Sequence, residues 1–215
     1  MSQLGAEFGG DGMESRIERL PISGSWKVSP SAFTDERGSV HEYFHSGQFA
    51  AAASVSLAVR QATCSVSHRS VLRGIRVTAA GGPAKYVTCL RGAVLDVIVD
   101  LRVGSPTFGR SHAERLDEGN RNAVYLAPGL GHAFLALSDD ATLLYLLSQP
   151  HSDAHERAVN PLDPDLAIAW PSDITPRLAA KDANAPGMSE ARQAGILPSY
   201  LSCLPLHGAT APQAS

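Results

Sequence analysis

The spacing of hydrophobic residues along this chain is that of β-strands. Short runs rich in Val, Leu, Ile and Tyr are separated by turn residues, and few segments have helical periodicity. The pattern predicts strands over residues 55–66, 71–78, 84–90, 93–101, 123–127, 132–137 and 141–147. Helices are expected only over residues 46–53 and 189–194. Short strands at this spacing indicate an all-β fold, either an antiparallel barrel or a sandwich.

Two turns organise the predicted strands. Arg91 and Gly92 join two runs of similar length, which predicts a hairpin over residues 84–101. The segment 127–131 (APGLG) contains Gly and Pro, which fix backbone angles that other residues resist. We expect it to separate a strand that ends at Ala127 from one that begins at His132.

Length and composition indicate one folded domain. The 215 residues are 44% hydrophobic and 18% charged, which is enough apolar material for a core. We expect a single domain over residues 15–204, with flexible Gly-, Ala- and Pro-containing tails at residues 1–14 and 205–215. A net charge of −3 and the lack of a long apolar run argue against nucleic acid and membrane as partners. Three cysteines without metal-site or disulfide spacing, and no signal-like start, favour the cytoplasm.

Two ionisable residues interrupt apolar strands. Asp96 shares a strand face with Val94 and Ile98, and burying a carboxylate there is costly unless a cation or ligand meets it. Lys85 opens a strand and is one of only three lysines beside fifteen arginines. It indicates either a site that needs a compact ammonium group or an edge lysine that discourages aggregation.

Further candidates have a structural explanation as well as a functional one. Tyr145 lies in a run that is apolar on both faces, where a core tyrosine is the ordinary interpretation. His132 begins a strand and is equally consistent with a structural histidine. Hydroxyl groups and two cationic side chains in the segment 63–69 (TCSVSHR) suit phosphate, although a polar turn has the same composition.

Several motifs together resemble the dTDP-4-dehydrorhamnose 3,5-epimerase family. The similarity runs from about Trp26 to about Pro186. The motifs agree with the family in order and approximate spacing, and they are 35–38 (DERG), 60–61 (RQ), 65–67 (SVS), 71–74 (VLRG), 84–87 (AKYV), 95–97 (LDV), 104–109 (GSPTFG), 131–135 (GHAFL) and 163–171 (DPDLAIAWP). The resemblance implies a cupin-type jelly roll that forms a homodimer. It also implies a barrel that binds a dTDP-linked 4-keto-6-deoxy sugar for deoxysugar biosynthesis, with no metal or other cofactor.

The resemblance assigns expected roles to individual residues. Members of the family remove a proton beside the 4-keto group and return one on the opposite face. Lys85 then matches the lysine that stabilises the enolate, Tyr145 the tyrosine that reprotonates the ring, and Asp96 the aspartate that orients the base. The positions expected to contact the nucleotide sugar are Arg37, Glu42, Gln61, Arg73 and His132, with Ser65 and Ser67 near the diphosphate and His151 where an aromatic residue is common.

The sequence departs from the family at the base itself. After the VLRG motif the family has an apolar residue and then the catalytic histidine, whereas this chain has Ile75 and then Arg76. A guanidinium stays protonated and offers only donors, so Arg76 cannot accept a proton. We expect Arg76 to form an ion pair with Asp96. Three hypotheses stay open. The first is an epimerase whose proton carrier is Tyr145, His132 or a lysine-activated water, the second is an inactive dTDP-sugar-binding homologue, and the third is another rearrangement of a dTDP-sugar that uses Arg76.

Overall fold

The described part of the chain comprises residues 13–78, 82–152 and 156–204 of a computed structural model. The predicted tails therefore lie outside the described residues, apart from residues 13 and 14. Within these ranges, no helix has both the length and the apolar character needed to cross a membrane.

Strands dominate the described residues, and the helices are short. The strands are β1 (Arg16–Arg19), β2 (Ser25–Ser29), β3 (Ala32–Asp35), β4 (Gly38–His41), β5 (Gln61–Ser67), β6 (Leu72–Thr78), β7 (Lys85–Arg91), β8 (Ala93–Val99), β9 (Ser111–Asp117), β10 (Ala123–Leu126), β11 (Gly131–Ala136), β12 (Ala141–Leu147) and β13 (Glu156–Ala158). The α-helices are α1 (Ser46–Ala53), α2 (Ala180–Ala183), α3 (Met188–Gln193) and α4 (Tyr200–Cys203), and a 3-10 turn covers Pro164–Leu166.

Two antiparallel sheets pack face to face, which confirms the predicted all-β jelly roll. One sheet has the strand order β1-β2-β10-β7-β12-β5, and the other has the order β13-β6-β11-β8-β9. A small hairpin of β3 and β4 stands apart from both. Apolar side chains from both sheets, among them Val87, Val94, Phe134 and Leu143, form the main core between them. The strands β8 and β11 are almost wholly buried, as expected of strands covered on both faces.

The predicted hairpin over residues 84–101 is wrong, although both of its strands exist. β7 belongs to the first sheet and β8 to the second, and β7 pairs with β10 and β12 instead. Gly92 has a φ of +71° and carries the chain from one sheet to the other. A two-residue connection between strands of equal length has the same sequence pattern whether the strands pair or switch sheets.

The predicted strand over residues 55–66 begins six residues too early. Helix α1 ends at Ala53, the next residue Ser54 has a left-handed φ of 56°, and β5 begins only at Gln61. Leu57, which contributes to the apolar alternation, is buried beside Phe49 and Tyr86 in a separate core cluster. Its hydrophobic signal therefore reflects burial of a connecting segment and not a strand.

Candidate active site

A cavity of about 440 Å³ lies between the two sheets. Its walls come from β5, β7 and β12 of the first sheet and from β6 and β11 of the second, and residues near β13 and α2 close one side. The lining residues include eight of the predicted site residues: Gln61, Ser65, Arg73, Arg76, Lys85, His132, Tyr145 and His151. This volume falls in the range of small-molecule pockets.

His132 and Asp96 form a buried pair at the cavity wall. The imidazole Nε2 lies 2.7 Å from the Asp96 Oδ2, and the side chains are 6% and 0% exposed. Asp96 lies opposite Phe134 on the neighbouring strand, so period-2 geometry places Asp96 and His132 on the same face of the sheet. Tyr145 meets the His132 ring edge-on, with centroids 5.9 Å apart. The buried carboxylate therefore has a partner, and the partner is a histidine.

Arg76 is paired with two other carboxylates, so the expected Arg76–Asp96 ion pair is wrong. The guanidinium donates a hydrogen bond to Asp182, and its Nη1 lies 3.6 Å from Glu156. Strand order explains the difference. Arg76 is on β6 and Asp96 is on β8, and β11 with His132 lies between them. Two strand spacings, about 10 Å, separate the two backbones.

Lys85 faces the cavity from a central strand. β7 pairs with β10 on one side and with β12 on the other, so the interpretation of Lys85 as an edge lysine is wrong. Desolvation lowers the pKa of the ammonium group, while the negative charges of Glu156 and Asp96 act in the opposite direction. A compact donor that is poorly solvated and close to carboxylates suits the stabilisation of a developing negative charge.

Tyr145 lies on β12 beside the strand that carries Lys85. Burial raises the pKa of the Tyr145 phenol above its ordinary value, and the charge of Asp96 adds to this effect. The phenol therefore stays protonated, which makes it a proton donor and a poor acceptor.

The remaining predicted residues divide into two groups. Ser67 is buried next to the cavity wall, where its Oγ accepts a hydrogen bond from Arg73 Nε at 3.0 Å. Arg37 and Glu42 do not line the cavity. Arg37 lies in the β3–β4 turn, where its Nε and Nη2 donate to the carboxylate of Asp35.

Three charged residues that line the cavity were not predicted from the sequence. Asp182 lies in α2, and Lys181 precedes it, whereas Glu156 opens β13. All three occur in short polar stretches that resemble surface turns. The only available signal was indirect, because a permanently charged Arg76 on an apolar strand requires a carboxylate partner.

The comparisons with known proteins decide the family. The model of the dTDP-4-dehydrorhamnose 3,5-epimerase family matches residues 19–190. The chain belongs to this family. Its fold and cavity are therefore those of a dTDP-sugar epimerase family member, as the sequence motifs indicated.

Individual epimerase relatives are similar over most of their length. A dTDP-4-dehydro-6-deoxyglucose 3-epimerase from Streptomyces bikiniensis is 50% identical over 182 residues, covering 84% of this chain and 93% of the relative. NovW, a 4-keto-6-deoxy sugar epimerase from the novobiocin biosynthetic gene cluster of Streptomyces spheroides, has a TM-score of 0.86 and 49% identity over 90% of this chain and 97% of its own. ChmJ, a 3'-monoepimerase from Streptomyces bikiniensis in complex with dTDP-quinovose, has a TM-score of 0.83 and 49% identity over 86% and 94%.

Proposed function

We propose that this protein is an isomerase of deoxysugar biosynthesis that epimerises a dTDP-linked 4-keto-6-deoxyhexose beside its keto group. One observation carries the proposal: Lys85, Tyr145 and His132 line the same cavity, and His132 is paired with the buried Asp96. These groups supply an ammonium that can stabilise negative charge, a phenol that can donate a proton and an imidazole that can transfer one. C3 is the proposed carbon, because relatives at 50% identity are named as 3-epimerases, whereas relatives at 47% identity are named as 3,5-epimerases.

Each group has a distinct task in this reaction. Removal of the proton at C3 places negative charge on the keto oxygen, and Lys85 stabilises that oxygen. Tyr145, held neutral by burial, returns a proton to the carbon from the other side. Arg73 and the hydroxyl of Ser65 line the cavity and provide donors for the diphosphate.

Solvent exchange tests this function directly. The purified protein is incubated in deuterated water with the dTDP-linked 4-keto-6-deoxyhexose, and deuterium at C3 and C5 is followed by NMR. We expect incorporation at C3 together with formation of the C3 epimer. Absence of deuterium from both carbons at high enzyme concentration would reject the proposal.

The two competing hypotheses have less support. An inactive sugar-binding homologue does not require an ammonium, a phenol and a carboxylate-bound imidazole around the same cavity. A rearrangement that relies on Arg76 needs a free guanidinium, whereas this one is engaged by Asp182 and Glu156. The relatives described above are also named as epimerases.

We also propose a homodimer located in the cytoplasm. Strand β5 is an edge strand with exposed Val66, and the β3–β4 hairpin exposes Phe33 and Val40. An exposed edge with apolar residues is a template for pairing with a second copy. The three free cysteines suit a reducing compartment. Sedimentation should give a dimer that Val66→Lys weakens, and a monomer for the unmodified protein would contradict the dimer.

A further inference from the structure

His132 occupies the position on the neighbouring strand that is nearest to Arg76. The two residues are direct register partners between β11 and β6. Residues directly opposite each other in an antiparallel pair point to the same face, about 5 Å apart at the backbone. Both side chains line the cavity. An imidazole is therefore present one strand away from the guanidinium that cannot accept a proton.

Asp96 determines which nitrogen of His132 is available. A carboxylate accepts hydrogen bonds, so Nε2, at 2.7 Å from Asp96 Oδ2, carries the proton that is shared with it. Nδ1 then keeps its lone pair. Among the described residues, none forms a hydrogen bond with Nδ1, whereas Nε2 is bonded to Asp96. Asp96 also stabilises the imidazolium that forms when His132 takes up a proton.

Three other ionisable side chains at the cavity, those of Tyr145, Asp182 and Glu156, are less suited to accept the proton. The Tyr145 phenol is held protonated by burial. The carboxylate of Asp182 receives the Arg76 guanidinium, and Glu156 lies within 4.0 Å of both Arg76 and His151. An acceptor that is already neutralised by a cation is a weak base.

We propose that His132, oriented by Asp96, is the proton acceptor of this enzyme in place of the histidine that Arg76 replaces. This inference rests on the proposed epimerase function. The proton at C3 moves to Nδ1, and the electrons of the C–H bond form the double bond of an enolate whose oxygen is stabilised by Lys85. Tyr145 donates its hydroxyl proton to C3 from the other side, and the resulting phenolate regains a proton from solvent while His132 releases one.

Three variants test the assignment by deuterium exchange at C3 and by calorimetry with dTDP. His132→Gln keeps an amide that donates to Asp96 but has no basic nitrogen, and we expect exchange to fall by about 10³-fold with dTDP affinity retained. Asp96→Asn removes the orienting carboxylate, and we expect kcat for exchange to fall at least about 10-fold with little change in KM. His112→Asn is the matched control. His112 pairs with Glu114 at 3.3 Å on β9 and does not line the cavity, so exchange should be unchanged.

The outcomes separate this inference from the function on which it rests. Exchange by His132→Gln at the wild-type rate would overturn the role of His132 and leave the epimerase function intact. If His132→Gln loses both dTDP binding and exchange, His132 would be assigned to binding and its proton-transfer role would be overturned. Absence of exchange in the unmodified protein would reject the epimerase function, and this inference with it.

Discussion

The Arg76 guanidinium donates a hydrogen bond to the carboxylate of Asp182, which joins β6 to the short helix α2. The Asp182 side chain is only 3% exposed, and that of Arg76 is 20% exposed. The contact connects residues that are 106 positions apart in the sequence and closes one side of the cavity. It therefore has a structural role independent of any proton transfer.

Removal of this carboxylate should destabilise the protein. Asp182→Ala leaves a partly buried guanidinium with Glu156 as its remaining ion-pair partner, and we expect a loss of about 2 kcal/mol in the free energy of unfolding. Urea denaturation measures this loss. Glu18→Ala, which removes the exposed partner of Arg16, is the control and should change stability by less than about 0.5 kcal/mol. Equal stability of the two variants would show that the Asp182 contact contributes little.

The strands that the sequence predicts well are those with a continuous apolar run. β12 matches its predicted bounds, and β6, β7, β10 and β11 match within one residue at each end, because each has an apolar run that contributes buried residues to the core. β9 (SHAERLD) was missed because it is an edge strand with five polar residues. The pairing of strands was not predictable from local pattern, since a turn such as that at Gly92 can join paired strands or strands of different sheets.

Candidate site residues were predictable where an ionisable or polar side chain lies in a strand that has a clear apolar pattern. Lys85, His132 and Tyr145 stand out because each interrupts or opens an apolar run. Their grouping around the cavity depends on contacts between distant strands. The pairing of Asp96 was wrongly assigned for the same reason, because the order of strands in the sheet decides which cation a buried carboxylate meets.

Replacing Lys85 tests the stabilisation of the enolate oxygen. Lys85→Met removes the ammonium, and we expect exchange at C3 to fall by about 10²–10³-fold, the usual effect of removing one stabilising donor. Affinity for dTDP should change little, because the loss concerns charge that develops in the transition state. Lys27→Met is the matched control, since Lys27 pairs with Glu114 outside the cavity. Equal exchange in the two variants would rule out this role for Lys85.

Tyr145→Phe separates proton removal from proton return. The variant keeps His132 and Lys85, so the proton at C3 should still exchange with solvent. It lacks the hydroxyl that donates on the opposite face, and we expect formation of the C3 epimer to fall by about 10²–10⁴-fold. NMR of one sample reports deuterium content and configuration together. A parallel loss of exchange and inversion would mean that Tyr145 also takes part in proton removal.

Asp100 should contribute to the acid stability of the fold. Burial opposes its ionisation, but hydrogen bonds from Arg102, Ser105 and Thr107 outweigh this effect, and the pKa of Asp100 is lowered. A lowered folded pKa contributes stability that is complete above the unfolded value, about 3.9, and is lost as pH falls through the folded pKa. Asp100→Asn should therefore be less stable than wild type at about pH 7, and the difference should shrink below about pH 4. Urea denaturation across this range would contradict the prediction if the difference stayed constant.

A histidine introduced at position 76 should compensate for the loss of His132. Asp182 lies within hydrogen-bond reach of the residue at position 76, so Arg76→His places an imidazole beside a carboxylate, one strand away from His132. In the double variant His132→Gln with Arg76→His, we expect exchange at C3 at least about 10-fold faster than in His132→Gln alone. Arg76→Gln in the same background is the control, because it removes the guanidinium without supplying a base. Equal recovery in both double variants would show that the charge of Arg76 suppresses exchange. No recovery in either would show that a histidine at position 76 cannot replace His132 in this cavity.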